Sequence, residues 1–161
     1  MSWKISVFLA FFCTFVIAED DNFKLIFFYH FLPADLKNFT YKLTPEEICK
    51  MDKNPRLANL GIEDYEEAVK VLEESLPAVV GRFEEAFASF KAKLDDLDEE
   101  AALVLKEVAD KDRTYRQRML NAIERYDRLS FYGKKSLEEH FPEIAKSCSD
   151  EMVRRMVGRG K

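Results

Sequence analysis

An amphipathic segment at residues 79–97 places the strongest constraint on the fold. Its apolar residues recur at intervals of three and four, which puts their side chains on one face of an α-helix, whereas a strand would divide them between two faces. Charged residues occupy the opposite face, so the segment is predicted to be a helix with one side in water. The apolar face consists of Val80, Phe83, Phe87, Phe90, Leu94 and Leu97. Burying this face contributes roughly 10 kcal/mol, so other helices, a membrane or a bound lipid must cover it.

The rest of the chain repeats the helical spacing, and no segment after residue 18 clearly alternates apolar and polar residues with a period of two. An all-α fold is therefore predicted. Two helix starts carry capping signals. Thr44 precedes Pro45 and stands three residues before Glu47, which is the form of a capping box, and Ser130 is a second N-cap candidate. Residues 22–32 are rich in aromatics without a period, and we expect them to dock on the helices as a hydrophobic arm or strand-like segment.

Two stretches leave the number of helices open. The apolar phase continues through Pro77, so residues 62–97 form either one kinked helix or two successive helices. Apolar residues at helical spacing also run from Leu105 to Leu129, a length that makes a break near residues 110–113 plausible. Basic and acidic residues alternate in that region, which predicts a surface helix laced with ion pairs. The arginines concerned are Arg113, Arg116, Arg118, Arg125 and Arg128.

The first eighteen residues have the anatomy of a secretory signal peptide, with Lys4 followed by an apolar run to Ala18. We predict cleavage after Ala18, a signal peptide at residues 1–18, one helical lipid-binding domain at residues 19–161, and a secreted protein. The alternative is an uncleaved anchor. A run of this length spans about 21 Å as a helix, short of the roughly 30 Å hydrocarbon core, so cleavage is favoured.

Charge and residue types exclude several classes of function. The chain has 25 basic and 30 acidic residues, a net charge of −5, which argues against nucleic acid as a partner. His30 and His140 lie far apart, and neither belongs to a Cys/His cluster, so no metal site is predicted. Adjacent acids on exposed helical faces are better explained by solvation than by acid/base catalysis. We therefore predict neither enzymatic activity nor a cofactor.

Export would expose two kinds of residue to modification. Cys13 leaves with the signal peptide, whereas Cys49 and Cys148 remain, either as a disulfide or as two separate thiols. Their spacing leaves both alternatives open. Asn38, Phe39 and Thr40 form a sequon, which makes Asn38 a candidate glycosylation site.

Three stretches, taken in order, resemble the nematode fatty acid and retinol-binding proteins. They are residues 32–47, 91–101 and 128–144, with sequences LPADLKNFTYKLTPEE, KAKLDDLDEEA and RLSFYGKKSLEEHFPEI. The resemblance implies a secreted, wedge-like helical bundle with an internal apolar cavity for fatty acids and retinol. It also implies a casein kinase type site at Thr44. The capping box explains the same residues without phosphorylation, and we prefer it for an exported chain.

With this resemblance, we interpret the apolar faces as a cavity lining and not as a filled core. Moving about fifteen methylenes out of water at roughly 0.8 kcal/mol each supports micromolar binding without a strong headgroup contact. A carboxylate could still meet Lys91 or Lys93 at the edge of the phenylalanine face. The predicted lining residues are Val80, Phe83, Phe87, Phe90, Leu94, Leu105, Val108, Met119, Ile123 and Tyr126.

Two other classes of function compete with a lipid carrier. One is a secreted helical protein-interaction or immunomodulatory module whose core is filled. The other is a membrane-surface helix protein, which the net negative charge disfavours. A carrier would have fatty acids and retinol as partners and would contact membranes transiently during lipid transfer. The sequence does not determine the oligomeric state.

Overall fold

The computed structural model describes residues 3–13, 22–58 and 65–158, and these ranges contain twelve α-helices and no strand. The all-α prediction is confirmed. The longest helix is α7, with 19 residues. In chain order the helices are α1 (Trp3–Cys13), α2 (Asn22–His30), α3 (Ala34–Tyr41), α4 (Pro45–Asp52), α5 (Pro55–Ala58), α6 (Tyr65–Ser75), α7 (Pro77–Asp95), α8 (Glu99–Val108), α9 (Tyr115–Asp127), α10 (Phe131–His140), α11 (Pro142–Ser149) and α12 (Glu151–Gly158).

The chain divides into two compact units. Unit 1 comprises residues 1–19 and 35–92, and unit 2 comprises residues 20–34 and 93–161. Each unit therefore combines an N-terminal helix, α1 or α2, with helices from much later in the chain. The predicted cleavage point after Ala18 lies outside the described residues. The separation of α1 from the remainder of the chain consequently remains a prediction.

Both helix caps expected from the sequence are present. The Thr44 N–H donates to Glu47 Oε2 at 2.9 Å, and the Glu47 N–H donates to Thr44 Oγ1 at 3.2 Å, which completes a capping box at α4. The Ser130 hydroxyl oxygen accepts from the Gly133 N–H at 3.1 Å and caps α10. These caps satisfy donors that the first turn of a helix leaves unpaired, which is why they fix helix starts locally.

The two open helix boundaries are resolved as breaks. Helix α6 ends at Ser75 and α7 begins at Pro77, where proline is favourable because the first helical position needs no N–H donor. Helix α8 ends at Val108 and α9 begins at Tyr115, with Thr114 as its cap. Residues 65–95 and residues 99–127 therefore each form two helices and not one long helix. Residue 62, where we expected the first of these helices to start, lies outside the described residues.

The aromatic arm is helical and not strand-like. Helix α2 buries Phe27, with Phe31 and Leu32 buried just beyond it, while Leu25 and Tyr29 are exposed. The arm docks within unit 2, where residues of α2 contact α9, α11 and α12. Its docking was therefore predicted correctly, and its helical conformation was not.

Cys49 and Cys148 are free thiols in this structure, and their pairing in the exported protein stays a prediction. Cys49 is exposed on α4, in unit 1, and Cys148 is buried in α11, in unit 2. Burial disfavours the thiolate and raises the pKa of Cys148 to about 12. Cys148 is therefore a small apolar side chain of the unit 2 core at neutral pH.

Candidate ligand-binding site

The apolar face of α7 is buried as its spacing predicts. Phe83 and Phe90 are fully buried and Leu94 is 1% exposed, while Val80 and Phe87 are half-buried. Val79 and Ala86 add to the buried face from neighbouring positions on the helix. The predicted sixth member, Leu97, lies beyond the end of α7 and is half-buried.

In unit 1 the cover of this face is α1, the helix inside the predicted signal peptide. The ring of Phe8 is fully buried and lies 5.4 Å from that of Phe83, 4.9 Å from that of Phe87 and 5.6 Å from that of Phe90, measured between centroids. The first two contacts are edge-to-face, a geometry that aromatic quadrupoles favour. Val7 and Leu9 of the same helix are also buried. Helix α1 therefore packs against the apolar face of α7.

Two further rings complete what we call the unit 1 aromatic cluster. Tyr65 stacks on Phe87 at 4.1 Å and on Phe83 at 5.7 Å, and Phe39 meets Phe83 edge-on at 6.3 Å. Burial raises the pKa of Tyr65, and the nearby Glu84 raises it further, so its hydroxyl stays neutral. The cluster consists of Phe8, Phe39, Tyr65, Phe83, Phe87 and Phe90. Its side chains are suited to hydrocarbon and supply a neutral polar group at Tyr65.

An open pocket of about 160 Å³ lies elsewhere in unit 1, between side chains of α3 and α7. Arg82 crosses it and donates to the Lys42 carbonyl and to Glu47, and Ser89 donates to Asp35. A volume near 150 Å³ suits a benzene-sized molecule, and drug-sized ligands need about 300 Å³ or more. This pocket is thus too small and too polar for a long acyl chain. It is lined by Asp35, Asn38, Phe39, Lys42, Arg82, Glu85, Ala86 and Ser89.

Asn38, the candidate glycosylation site, is exposed on α3 at this pocket. Exposure is what an oligosaccharide acceptor needs, and glycosylation itself remains a prediction.

The predicted cavity lining is divided between the two units. Val80, Phe83, Phe87 and Phe90 belong to unit 1, and the other six residues belong to unit 2, where all six are buried. Their membership in a single ligand cavity remains a prediction. The six in unit 2 are Leu94, Leu105, Val108, Met119, Ile123 and Tyr126.

The lysines considered for a headgroup contact are not singled out by the structure. Lys93 lies over the ring of Phe141, with Nζ 5.8 Å from the centroid, a geometry that favours a cation–π interaction. Lys91 is exposed on α7. Neither side chain is placed inside an apolar core.

Arg118 is the residue that the sequence reasoning placed wrongly. We expected it on a salt-laced surface, yet it is 5% exposed, inside unit 2 on α9. The available signal was its position three residues after Tyr115 and beside Met119, within the apolar phase of the helix. Burial lowers the pKa of Arg118 to about 10, because a low-dielectric environment disfavours the cation, and the side chain still remains charged at neutral pH.

Two other kinds of site, a membrane span and a metal site, are not found in the described ranges. No helix in residues 3–13, 22–58 or 65–158 is both long and apolar enough to cross a bilayer. In the same part of the chain, no group of three or more His, Cys, Asp or Glu side chains is arranged to hold a metal ion.

Comparison with known families gives one match. The family model for nematode fatty acid retinoid binding protein (Gp-FAR-1) matches residues 27–159, more than four-fifths of the chain. The match starts inside α2 and leaves α1 outside it. No curated protein and no solved structure matches the chain significantly.

Proposed function

The chain belongs to the nematode fatty acid retinoid binding protein family, and from that premise we propose that it is a secreted carrier of fatty acids and retinol. In this proposal residues 1–18 are removed on export, and the ligand then occupies an internal apolar cavity that includes the α7 face of the unit 1 aromatic cluster.

The packing of Phe8 carries this proposal. A helix that a signal peptidase would remove covers Phe83, Phe87 and Phe90, and it lies outside the part of the chain that matches the family. Its departure would expose the parts of these rings that Phe8 covers, and full burial of one such ring contributes about 1.5–3 kcal/mol. Hydrocarbon from a ligand would restore that burial. The cavity would therefore be completed by processing and then filled by lipid.

The chemistry of the cluster supports loose selectivity within apolar ligands. Dispersion and burial of methylenes act on an acyl chain and on a retinoid alike, because both depend on area and not on polar contacts. One face of phenylalanines is consistent with both ligand classes in the family description.

Transfer of ligand would need contact with a membrane, and α10 offers a surface for it. Phe131 and Tyr132 are 75% and 76% exposed in the first turn of that helix. Ser130 holds this turn by donating from its N–H and its hydroxyl to Glu100 Oε2. Lys134 and Lys135 follow directly. Aromatic rings beside lysines suit the interface between lipid headgroups and acyl chains.

The test compares two forms of the protein. One is released from a secretory host with its own leader, and the other is the full chain retained in a bacterial cytoplasm. We expect the released form to begin at Glu19, to shift the emission of a dansylated fatty acid to the blue, and to release the probe to oleate or retinol. The full chain should bind the probe more weakly because Phe8 occupies the face. A released form that neither shifts the probe nor exchanges it would instead support the interaction module with a filled core.

A matched pair of variants locates the site. In the released form, Phe87→Ala removes a ring of the cluster and should weaken probe binding about tenfold. Phe131→Ala removes an exposed ring outside the cluster and should leave the affinity unchanged. Equal effects of the two substitutions would show that binding does not involve the α7 face.

A further inference from the structure

A buried arginine in unit 2 has a guanidinium group that is only partly satisfied. Arg118 Nε donates to the Val108 carbonyl at 2.6 Å. Its Nη2 is buried, and among the described residues it has no hydrogen-bond partner. The guanidinium carbon lies 4.4 Å from the ring centroid of Phe27 and 5.3 Å from that of Tyr115. The group is thus surrounded by aromatic rings and one carbonyl, and the carboxylate of Asp110 acts on it electrostatically.

Other arginines of the chain show what this environment lacks. Arg82 pairs with Glu47, Arg125 with Glu107 at 3.0 Å, and Arg154 with Asp127 through two nitrogens. Those three carboxylates lie at or near the surface, where ion pairs contribute little. A buried cation needs an anion far more, because unpaired charge in a low-dielectric interior is strongly destabilising. Arg118 is buried more deeply than these three arginines, and its Nη2 donor has no hydrogen-bond partner among the described residues.

We propose that Arg118 is the anchor for the carboxylate of an anionic lipid bound in unit 2. The inference rests on the proposed carrier function and adds a ligand preference to it. A guanidinium presents donors in a planar fork that matches the two oxygens of a carboxylate, and Nη2 is available for one of them. A retinoid or acyl alcohol has one neutral oxygen and makes a weaker bond. Carboxylic acids are therefore favoured over alcohols of the same hydrocarbon at this site.

Helix α2 controls access to Arg118. Phe27 of α2 supplies the ring nearest the guanidinium, and Leu25 and Tyr29 leave the other side of the helix in contact with water. If the leader is cleaved after Ala18, α2 becomes the first helix of the chain, because it begins at Asn22. A terminal helix opens more readily than one held at both ends. A carboxylate reaches Nη2 when the Phe27 ring moves aside.

Retinol and retinoic acid provide the decisive test, since they share a hydrocarbon and differ in the polar group. In the released protein, each displaces a dansylated fatty acid, and the two affinities are compared. Arg118→Met should lower the affinity for retinoic acid tenfold or more and leave that for retinol within about twofold. Its midpoint of thermal unfolding should be unchanged or higher, because an unpaired buried charge is replaced by a methylene chain.

Arg116→Met is the matched control on the same helix. Arg116 is half-buried and already donates to the carbonyls of Val157 and Gly158 at 3.0 and 3.4 Å. This variant should leave the ratio of the two affinities at the wild-type value. If Arg118→Met weakens both retinoids equally, or neither, the carboxylate anchor is wrong and the carrier function stands. If the unaltered protein binds neither retinoid nor oleate, the carrier function fails and the anchor fails with it.

Discussion

The aromatic cluster of unit 1 and the core of unit 2 are equally well buried, yet different kinds of helix cover them. Phe83 and Phe90 are sealed by Phe8 of α1, which lies in the predicted leader and outside the family match. In unit 2, Phe141 and Leu137 are fully buried among α8 to α12, all of which would remain after processing. Burial alone therefore does not distinguish a permanently covered face from one that the proposed processing would uncover.

The two units also differ in the surroundings of one arginine side chain in each. Arg82 of unit 1 bridges Glu47 and the Lys42 carbonyl at the protein surface. Arg118 of unit 2 is buried with one donor unpaired. An interior that holds a buried cation is a better candidate for binding an anion than the unit 1 aromatic cluster, in which Tyr65 supplies a neutral polar group.

Loss of the leader should produce the largest difference between the units. Removing Phe8 and its buried neighbours withdraws roughly 5 kcal/mol of apolar burial from unit 1, so amides in residues 77–92 should exchange up to about 10³-fold faster. Amides of α9 in unit 2 should be unaffected. Hydrogen exchange of the full and the released chain measures both, and oleate should restore protection of α7. Equal protection of α7 in both ligand-free forms would contradict the predicted difference between unit 1 and unit 2.

A core substitution in unit 2 should lower stability by a nearly equal amount. Phe141→Ala removes a fully buried ring and should lower the free energy of unfolding by about 3–5 kcal/mol. Phe131→Ala removes a ring that is 75% exposed and should change it by less than about 0.5 kcal/mol. Urea unfolding without ligand measures both variants. Equal losses in the two variants would mean that the buried Phe141 ring contributes no more to stability than the exposed Phe131 ring.

Acid should weaken a surface pair in each unit by a smaller amount. Hydrogen bonding to Arg82, and then to the Thr44 N–H, lowers the pKa of Glu47, and hydrogen bonding to Arg154 lowers that of Asp127. A depressed pKa in the folded state adds stability above the unfolded pKa, which is lost as the pH falls through the folded value. Unfolding free energies of Glu47→Gln and Asp127→Asn should therefore fall less steeply than those of the unaltered chain below about pH 4.5. Parallel curves would show that the pairs contribute nothing.

The exposed aromatics of α10 should affect transfer and not folding. Replacing Phe131 and Tyr132 together by alanine should slow delivery of a dansylated fatty acid to vesicles severalfold, because the rings no longer enter the interface. Thermal unfolding and probe affinity should stay at wild-type values. A transfer rate that is unchanged at every vesicle concentration would remove α10 from the proposed membrane contact.

The elements that were predictable are those fixed by interactions between near neighbours in sequence. The capping box at Thr44, the cap at Ser130 and the buried face of α7 all depend on residues within one to a few turns. A hydrogen bond from residue i to i+3 can be read from spacing, and so can the phase of an amphipathic helix. The break between α8 and α9 was left open, because the apolar spacing continues through residues 110–113 and only the length of the run favoured a break.

The candidate site itself was only partly predictable. Phe131 is a large apolar residue and is nevertheless exposed, while Arg118 is charged and is buried. The exposure of the one and the burial of the other depend on which segment, distant in sequence, packs against each side chain. Helix α2 packs against α9 and places the ring of Phe27 over the Arg118 guanidinium. The sequence of α2 is rich in aromatics and has no period from which its packing partner could be predicted.

By itself, the sequence determined an all-helical chain, the starts of its capped helices and the apolar faces that those helices must bury, since each follows from residues a few positions apart. Only the tertiary structure decided that Phe8 covers the α7 face, that Cys148 is buried while Cys49 is exposed, and that Arg118 lies in an interior with an unpaired donor. The physical reason is that burial depends on apolar area without regard to sequence distance, so many partners satisfy a given face equally well until the chain has folded.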